Sequence, residues 1–201
     1  MKLFFSATSP YVRKCLVVAH ELGVAERITL LPSNAHPVQR DATLVAQNPL
    51  GKVPTLVTDD GQVLYDSRVI CEYLDASFGG QLFPRDGVAR WQALTLQSLA
   101  DGMLDAALLA RYEEAARPEA LRWAEWSAGQ LDKLHTSLAA LEAAPAQLTG
   151  RVDIGTLTLG CALGYIDFRF DRLGWRGRYP QVAAWAAGFL QRPSMAAKWS
   201  L

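Results

Sequence analysis

The sequence predicts an α/β domain in the order βαβαββα, followed by an all-helical domain. Residues 1–77 alternate short strand-like runs with apolar helical patterns, which is typical of a mixed sheet flanked by helices. Residues 78–87 are rich in glycine and proline and predict a linker. From residue 88 to residue 201 only helical patterns occur, so the second domain is expected at 88–201.

Four strands and three helices are expected in the first domain. The strand-like runs are short and largely apolar, and they lie at 2–5, 27–31, 53–57 and 62–65. The last two are joined by Asp59-Asp60-Gly61, a typical hairpin turn. The helical patterns lie near 10–22, 38–46 and 67–76. Gly23 is placed to end the first of these helices.

Five helical patterns are expected in the second domain, and together they predict a helical bundle. They lie near 88–112, 118–142, 154–171, 179–190 and 193–199. The third follows Asp153, a good N-cap, with Thr156 three residues later. In an ideal capping box an acidic side chain at this position accepts the N–H of the cap residue. Thr is a weaker acceptor for that bond, so we expect Asp153 to provide most of the capping.

Composition and charge indicate an ordinary soluble globular protein. The 201 residues are 50% hydrophobic, and 20 Lys and Arg balance 20 Asp and Glu, so no basic excess indicates nucleic acid. The start does not resemble a signal peptide, and no apolar run is long enough for a bilayer. Cys15, Cys71 and Cys161 are far apart in sequence within apolar helical patterns, which predicts buried free thiols. These features favour the cytoplasm.

The most specific motif is NPLGKVPTLVTDDGQVLYDSRVICEYL, at residues 48–74. In it a Val-Pro peptide is followed by a hairpin, an acidic residue with a serine, and a helix ending in Tyr-Leu. Together with the two predicted domains, this motif resembles the cytosolic glutathione S-transferase family over the whole chain. The resemblance, closest to bacterial members with a Ser-Pro active-site motif, implies a thioredoxin-like first domain. It also implies glutathione as co-substrate and no metal.

The resemblance implies which residues bind glutathione. The backbone of Val53 would pair with the cysteinyl part of glutathione like an added strand, and Pro54 would follow a cis peptide bond. Asp66 and Ser67 would hold the γ-glutamyl carboxylate at a helix N-terminus. Lys52 would meet the glycyl carboxylate. Each feature also has a purely structural interpretation: a trans proline opening a strand, a simple N-cap, and a solvated surface lysine.

Ser9-Pro10-Tyr11 resembles the active-site motif of classes in which the catalytic residue directly precedes a proline. A hydroxyl at this helix N-terminus would donate to the sulfur of glutathione and stabilise its thiolate. Ser9 is the expected catalytic residue, with Ser6 and Thr8 as alternatives in the same loop. Ser9 is otherwise only an N-cap before a first-turn proline. Serine in place of cysteine argues against covalent mixed-disulfide chemistry here.

Further residues are implied by the resemblance alone. Tyr11 and Tyr112 would contribute to a pocket for the second substrate. Asp101 or Asp105 would reach the glutathione of the partner subunit in a homodimer, and a solvated helix face is the alternative. Arg13 either assists electrostatically or is simply a cation on a helix face.

The function implied by the resemblance is that of a glutathione transferase. The thiolate of glutathione would attack a small electrophile, as in detoxification. The alternatives are a non-catalytic glutathione-binding or protein-interaction member, or a glutathione-dependent isomerase, dehalogenase or thiol reductase. A thioredoxin-type disulfide reductase is disfavoured because the sequence has no CxxC. No nucleic-acid or membrane partner is expected.

Overall fold

A computed structural model describes residues 1–197 of the chain and separates them into two compact units. The α/β unit consists of Met1–Arg85 with Ala196 and Ala197, and the helical unit is Asp86–Met195. The predicted fold class is confirmed, because a small mixed sheet with helices is followed by a helical domain.

The sheet of the α/β unit has four strands in the order β2-β1-β3-β4. They are β1 (Lys2–Phe5), β2 (Thr29–Pro32), β3 (Thr55–Val57) and β4 (Val63–Leu64). β1 is parallel to β2 and antiparallel to β3, and β3 is antiparallel to β4, so the sheet is mixed as expected. Leu3 lies opposite both Leu30 and Leu56 at the centre of the sheet. Leu3 and Leu56 have no exposed surface.

Three strands are shorter or shifted relative to the sequence prediction. β2 begins at Thr29, because Ala25–Arg27 form a 3-10 turn. β3 begins at Thr55 rather than at residue 53, since Pro54 has no N–H to give to a ladder. β4 has only the two residues Val63–Leu64 instead of the four at 62–65.

Three helices accompany the sheet: α1 (Pro10–Glu21), α2 (Ala42–Gln47) and α3 (Ser67–Ser77). α1 and α3 pack against each other. Val12, Cys15, Leu16 and Ala19 form a buried apolar stripe on α1, and Leu22 is a half-buried C-cap beyond the helix. α2 starts at residue 42 rather than near 38, because Asp41 caps it through the N–H groups of Thr43 and Leu44.

Asp75, near the end of α3, fixes the segment that follows the helix. Its buried carboxylate accepts hydrogen bonds from the N–H groups of Leu82 and Phe83, at 2.9 and 3.1 Å. A Cβ at Gly80 would lie 2.0 Å from Asp75 Oδ1, so only glycine fits there without rearrangement. The first part of the predicted linker is therefore held firmly against the α/β unit.

The described residues after Arg85 form helices and no strand, as predicted. These helices are α4 (Gly87–Ala115), α5 (Ala124–Ala143), α6 (Ile154–Phe170), α7 (Trp175–Arg178), α8 (Pro180–Phe189) and α9 (Pro193–Ala196). α6 is buried almost all round and packs along α4, so it forms the core of the helical unit. A Cβ at Gly155 would lie 2.6 Å from the carbonyl oxygen of Ala93, which shows how closely the two helices approach.

Several helix bounds differ from the prediction. α5 begins at residue 124 rather than near 118, because Glu119–Leu121 form a 3-10 turn after Pro118. The four-residue helix α7 was not predicted. α9 ends at Ala196, and residues 198 and 199 of the predicted helix 193–199 lie outside the described residues.

The N-terminus of α6 is closed by a complete capping box. Asp153 Oδ1 accepts the N–H of Thr156 at 3.1 Å, and Thr156 Oγ1 accepts the N–H of Asp153 at 3.0 Å. Thr156 thus acts as the return partner despite its short side chain. Both residues are buried, so this helix end is shielded from solvent. Within residues 1–197, no helix is both long and apolar enough to cross a membrane.

Candidate functional site

The junction between β1 and α1 presents Ser9 at a helix N-terminus. Ser9 has extended backbone angles (φ −81°, ψ 119°), and its Oγ accepts the N–H of Val12 at 3.3 Å. Its own N–H donates to the carbonyl of Ser6 at 3.0 Å, which fixes the loop. The predicted N-cap is confirmed. A capping serine uses an oxygen lone pair, so its O–H proton stays available to donate elsewhere.

The structure distinguishes the three hydroxyls of this loop. Ser9 and Ser6 are half-buried, whereas Thr8 is exposed. Of the three, only Ser9 caps α1, where the helix dipole favours a neighbouring negative charge. Of the three hydroxyls, that of Ser9 is therefore the one that lies at the capped end of α1.

The turn before β3 carries Val53 and Pro54. The Val53–Pro54 peptide bond is cis, as predicted. Val53 is half-buried and precedes β3, so its backbone takes no part in the pairing of β3 with β1 or β4. Lys52 is exposed on the same turn.

Asn48, which the sequence analysis did not single out, braces this turn. Its buried side-chain Nδ2 donates to the carbonyl of Lys52 at 3.2 Å and to Thr55 Oγ1 at 2.9 Å. Thr55 Oγ1 donates to the same carbonyl at 2.9 Å. The backbone on either side of Val53 is thus held in place. The sequence signal was the asparagine that opens the motif, four residues before Lys52.

The N-terminus of α3 carries Asp66 and Ser67. Asp66 caps the helix by accepting the N–H of Arg68 at 2.9 Å, and it also pairs with the Arg68 guanidinium at 2.9 Å. Burial alone would raise the pKa of Asp66, but the Arg68 hydrogen bonds and the charges of Arg68 and Lys14 outweigh it and lower the pKa. The Asp66 side chain is 51% exposed, whereas Ser67 is buried. This helix end therefore remains open to solvent at Asp66.

α1 and α3 touch close to these two N-termini. Cys15 Sγ lies 3.9 Å from the carbonyl oxygen of Ser67, and Cys71 Sγ lies 3.9 Å from Cys15 Sγ. The three cysteines are free and buried, as predicted. The contact between Cys15 and Cys71 was missed, because residues 56 positions apart reveal no proximity in the sequence. The second turn of α1 thus packs on the first turn of α3.

The remaining candidate residues lie on two helices, one residue on α1 of the α/β unit and three on α4 of the helical unit. Tyr11, on α1, is half-buried. On α4, burial raises the pKa of the half-buried Tyr112. Asp101 is 5% exposed, whereas Asp105 is exposed. No cluster of His, Cys, Asp or Glu suited to a metal occurs within residues 1–197.

Comparison with known proteins identifies the family. The N-terminal domain of glutathione S-transferases matches residues 8–77, and the C-terminal domain of the same family matches residues 124–188. The chain is 35% identical over 201 residues to the uncharacterized GST-like protein YibF of Escherichia coli K12, covering 98% of this chain and 96% of that one. The chain therefore belongs to the glutathione S-transferase family.

Similar structures contain glutathione. A glutathione transferase family member from Pseudomonas fluorescens Pf-5, crystallised with glutathione, is 51% identical, with a TM-score of 0.95. The match covers 98% of this chain and 97% of that one. A second crystal structure described as a family member from the same strain holds S-(propanoic acid)-glutathione. It is 50% identical with a TM-score of 0.90, and the match covers 98% of both chains.

Proposed function

We propose that this protein is a glutathione transferase that activates the thiol of glutathione for attack on a small electrophile. The observation that carries this proposal is the position of Ser9. Its Oγ caps α1 through the N–H of Val12, which leaves its O–H proton to donate to a sulfur at the positive end of the helix dipole.

The proposed mechanism is stabilisation of the thiolate. A free thiol has a pKa of about 8.5 and is only a few per cent ionised at neutral pH. A hydrogen bond from Ser9 and the dipole of α1 both favour the charged sulfur, so the pKa of bound glutathione falls.

The thiol proton passes to solvent, and the sulfur lone pair then forms a bond to an electrophilic carbon. The electron pair of the bond that breaks leaves with a leaving group such as chloride, or moves into the electrophile where the carbon belongs to a conjugated alkene. One of the similar crystal structures holds S-(propanoic acid)-glutathione, which is a thioether of glutathione. A thioether is the class of product that this mechanism gives.

Binding of the rest of glutathione is assigned to the α/β unit. Val53, whose backbone is outside the strand pairing, would pair with the cysteinyl backbone of glutathione. The N-terminus of α3, with Asp66 and Ser67, would take the γ-glutamyl carboxylate. The exposed Lys52 would meet the glycyl carboxylate. The glutathione held by similar structures supports this assignment.

We also propose a homodimer that works in the cytoplasm. Asp105 is exposed on α4, and a cavity of about 600 Å³ lies between α4 and α5, lined in part by Ser98, Gly102 and Lys133. A two-fold contact uses the same surface of both subunits, and we assign that surface to this face of α4 and α5. The free, buried thiols fit a reducing compartment. Sedimentation at micromolar concentration should give about twice the 22.0 kDa of one chain, and a species of one chain alone would contradict the dimer.

The test of the function is a conjugation assay on three matched variants. Ser9→Ala should slow conjugation of glutathione with a chlorodinitrobenzene roughly ten- to a hundredfold near neutral pH, since a hydrogen bond to a charged group contributes about 1.5–3 kcal/mol. The loss should shrink at higher pH, where the thiol ionises unaided. Ser6→Ala and Thr8→Ala should retain near wild-type rates.

Three other results are informative. Loss of activity in Ser6→Ala or Thr8→Ala with Ser9→Ala intact would move the catalytic hydroxyl to that neighbour. Full activity in all three would assign activation to the helix N-terminus alone. Tight glutathione binding with no conjugation by the wild type would identify a non-catalytic member of the family.

A further inference from the structure

The carbonyl oxygen of Lys52 is held by two buried side chains. Asn48 Nδ2 donates to it at 3.2 Å and Thr55 Oγ1 donates to it at 2.9 Å. Asn48 Nδ2 also donates to Thr55 Oγ1 at 2.9 Å, which closes the set of hydrogen bonds. Asn48 is 1% exposed and Thr55 is 0% exposed. Because buried polar groups are costly to leave unpaired, both side chains are committed to this one carbonyl.

The orientation of the Asn48 amide is fixed from its other side. Asn48 Oδ1 accepts the N–H of Leu50 at 3.0 Å, and a backbone N–H can only donate. The backbone N–H of Asn48 donates to the carbonyl of Leu44 at the end of α2, and its carbonyl accepts the N–H of Gly51, both at 2.8 Å. The amide therefore cannot turn its donor away from Lys52 without breaking its bond to Leu50.

Holding the Lys52 carbonyl also sets the direction of the Val53 N–H. The two groups belong to one planar peptide unit, and this peptide is trans, so they point in opposite directions. The N–H of Val53 is thus directed away from Asn48 and Thr55. Across the part of the chain that the structure describes, this N–H makes no hydrogen bond. It is a donor with a fixed direction and no partner of its own.

We propose that Asn48 and Thr55 are positioning residues that orient the Val53 N–H toward the cysteinyl carbonyl of glutathione. This inference rests on the proposed function, because it concerns the same glutathione site. A strand-like ligand pairs through backbone N–H and C=O groups, so the direction of this N–H decides whether the pair can form. A donor that is already oriented binds more tightly, since the turn loses no further conformational freedom. Neither side chain needs to touch the ligand.

The experiment removes the two donors separately and compares them with a matched threonine. Thr55→Val removes the hydroxyl with little change of shape, Thr55→Ser keeps it, and Asn48→Ala removes both bonds from Nδ2. The control is Thr58→Val, just beyond the other end of β3. Thr58 is also buried, and its hydroxyl accepts the N–H of Gln62 at 2.8 Å, far along the strand from the Val53 turn.

Thr55→Val and Asn48→Ala should each weaken glutathione binding about five- to tenfold, measured by titration calorimetry and as a raised KM. The kcat at saturating glutathione should stay near the wild-type value, because the N-terminus of α1 is unchanged. Thr55→Ser should restore the affinity. Thr58→Val should lower the melting temperature in circular dichroism without changing the affinity.

Three results would overturn the inference and leave the proposed function intact. They are an unchanged affinity in both Thr55→Val and Asn48→Ala, an equal loss in Thr58→Val, and a failure of Thr55→Ser to restore binding. A wild-type protein that does not bind glutathione would overturn both proposals.

A second measurement begins with the wild type and so does not depend on a variant folding. Hydrogen exchange of the Val53 amide, followed by NMR, should slow about tenfold when glutathione binds, because the N–H enters a hydrogen bond. Thr55→Val should lose most of this slowing and Thr58→Val should keep it. An amide that exchanges equally fast in free and glutathione-bound wild type would overturn the inference, while conjugation by the same protein would still support the proposed function.

Discussion

Helices α3 and α6 both begin directly after an aspartate, and their N-termini differ in what surrounds the cap. Asp153, before α6, is 6% exposed and exchanges hydrogen bonds with Thr156. The Arg151 guanidinium also donates to its carboxylate at 2.8 Å. Asp66, before α3, is half-exposed and pairs with Arg68 on the outside of the helix. The same local rule therefore produces one closed helix end and one open one.

This difference between the two helix ends predicts that one contributes to stability and the other to ligand binding. At α6 the capping box satisfies the N–H groups of Asp153 and Thr156 among buried groups, so this helix end is closed to solvent. At α3 the helix end is reached by solvent beside Asp66, which leaves room for an anion. We therefore expect changes at the α6 end to alter stability alone, and changes at the α3 end to alter glutathione binding.

The largest effect is expected at Gly155, beside the closed end. Its substitution by alanine would place a Cβ 2.6 Å from the Ala93 carbonyl oxygen and 2.9 Å from Leu96 Cβ. Because the first of these atoms is backbone, α4 or α6 must shift, and Gly155→Ala should lower the free energy of unfolding by about 3 kcal/mol. Urea denaturation measures this loss. The affinity of the folded protein for glutathione should not change.

Gly164 is the matched control on the same helix. A Cβ there would meet nothing within 4 Å, so Gly164→Ala should stabilise α6 by about 0.5–1 kcal/mol through backbone entropy. If both substitutions destabilised the protein equally, the close approach at Gly155 would not be the cause.

The next largest effect is expected at Asp153, the N-cap of α6. Asp153→Ala removes the acceptor for the Thr156 N–H and should lower the free energy of unfolding by about 2 kcal/mol. Asp153→Asn keeps the capping oxygen but replaces the Oδ2 acceptor facing Arg151 with an NH2 donor, so it loses the ion pair with Arg151 and should cost about half as much. Thermal melting of both variants tests the order. Equal losses would show that the ion pair, rather than the cap, stabilises this helix end.

The smallest effect is expected at the open end. The pKa of Asp66 is lowered from 3.8, so its stabilising contribution is fully present above about pH 4 and is lost as the pH falls through the lower, folded-state pKa. Asp66→Asn keeps the cap and does not titrate. Between about pH 5 and pH 2 the wild type should lose about 0.5 kcal/mol more stability than this variant, a small value because the group is half-exposed. Identical pH dependence in urea denaturation would contradict the lowered pKa.

The sequence was sufficient for the parts of the fold that depend on local rules. Pro10 after Ser9 and Asp153 before an apolar run located two helix starts correctly. The Val-Pro peptide was located by its family motif, and its cis bond agrees with that resemblance. In each case the determining residues are adjacent in the chain.

The remainder depends on contacts between distant residues. Lys14 is a cation in a helical pattern and looks like a surface residue in the sequence, yet it has no exposed surface in the folded chain. Asn48 braces Lys52 and Thr55 through bonds that exist only once the turn is folded. The same is true of Asp101 and Asp105, which look alike in the sequence although one is buried and the other exposed.

The role of Ser9 is tested most directly by the pKa of the glutathione thiol when glutathione is bound. The thiolate absorbs in the ultraviolet, so a pH titration of the complex against free glutathione measures this pKa. We predict that it lies about one unit or more below the ordinary thiol value of about 8.5, and that Ser9→Ala moves it back toward that value. A bound thiol that titrates like free glutathione, or a lowered pKa that Ser9→Ala leaves unchanged, would contradict the role of Ser9 at the N-terminus of α1.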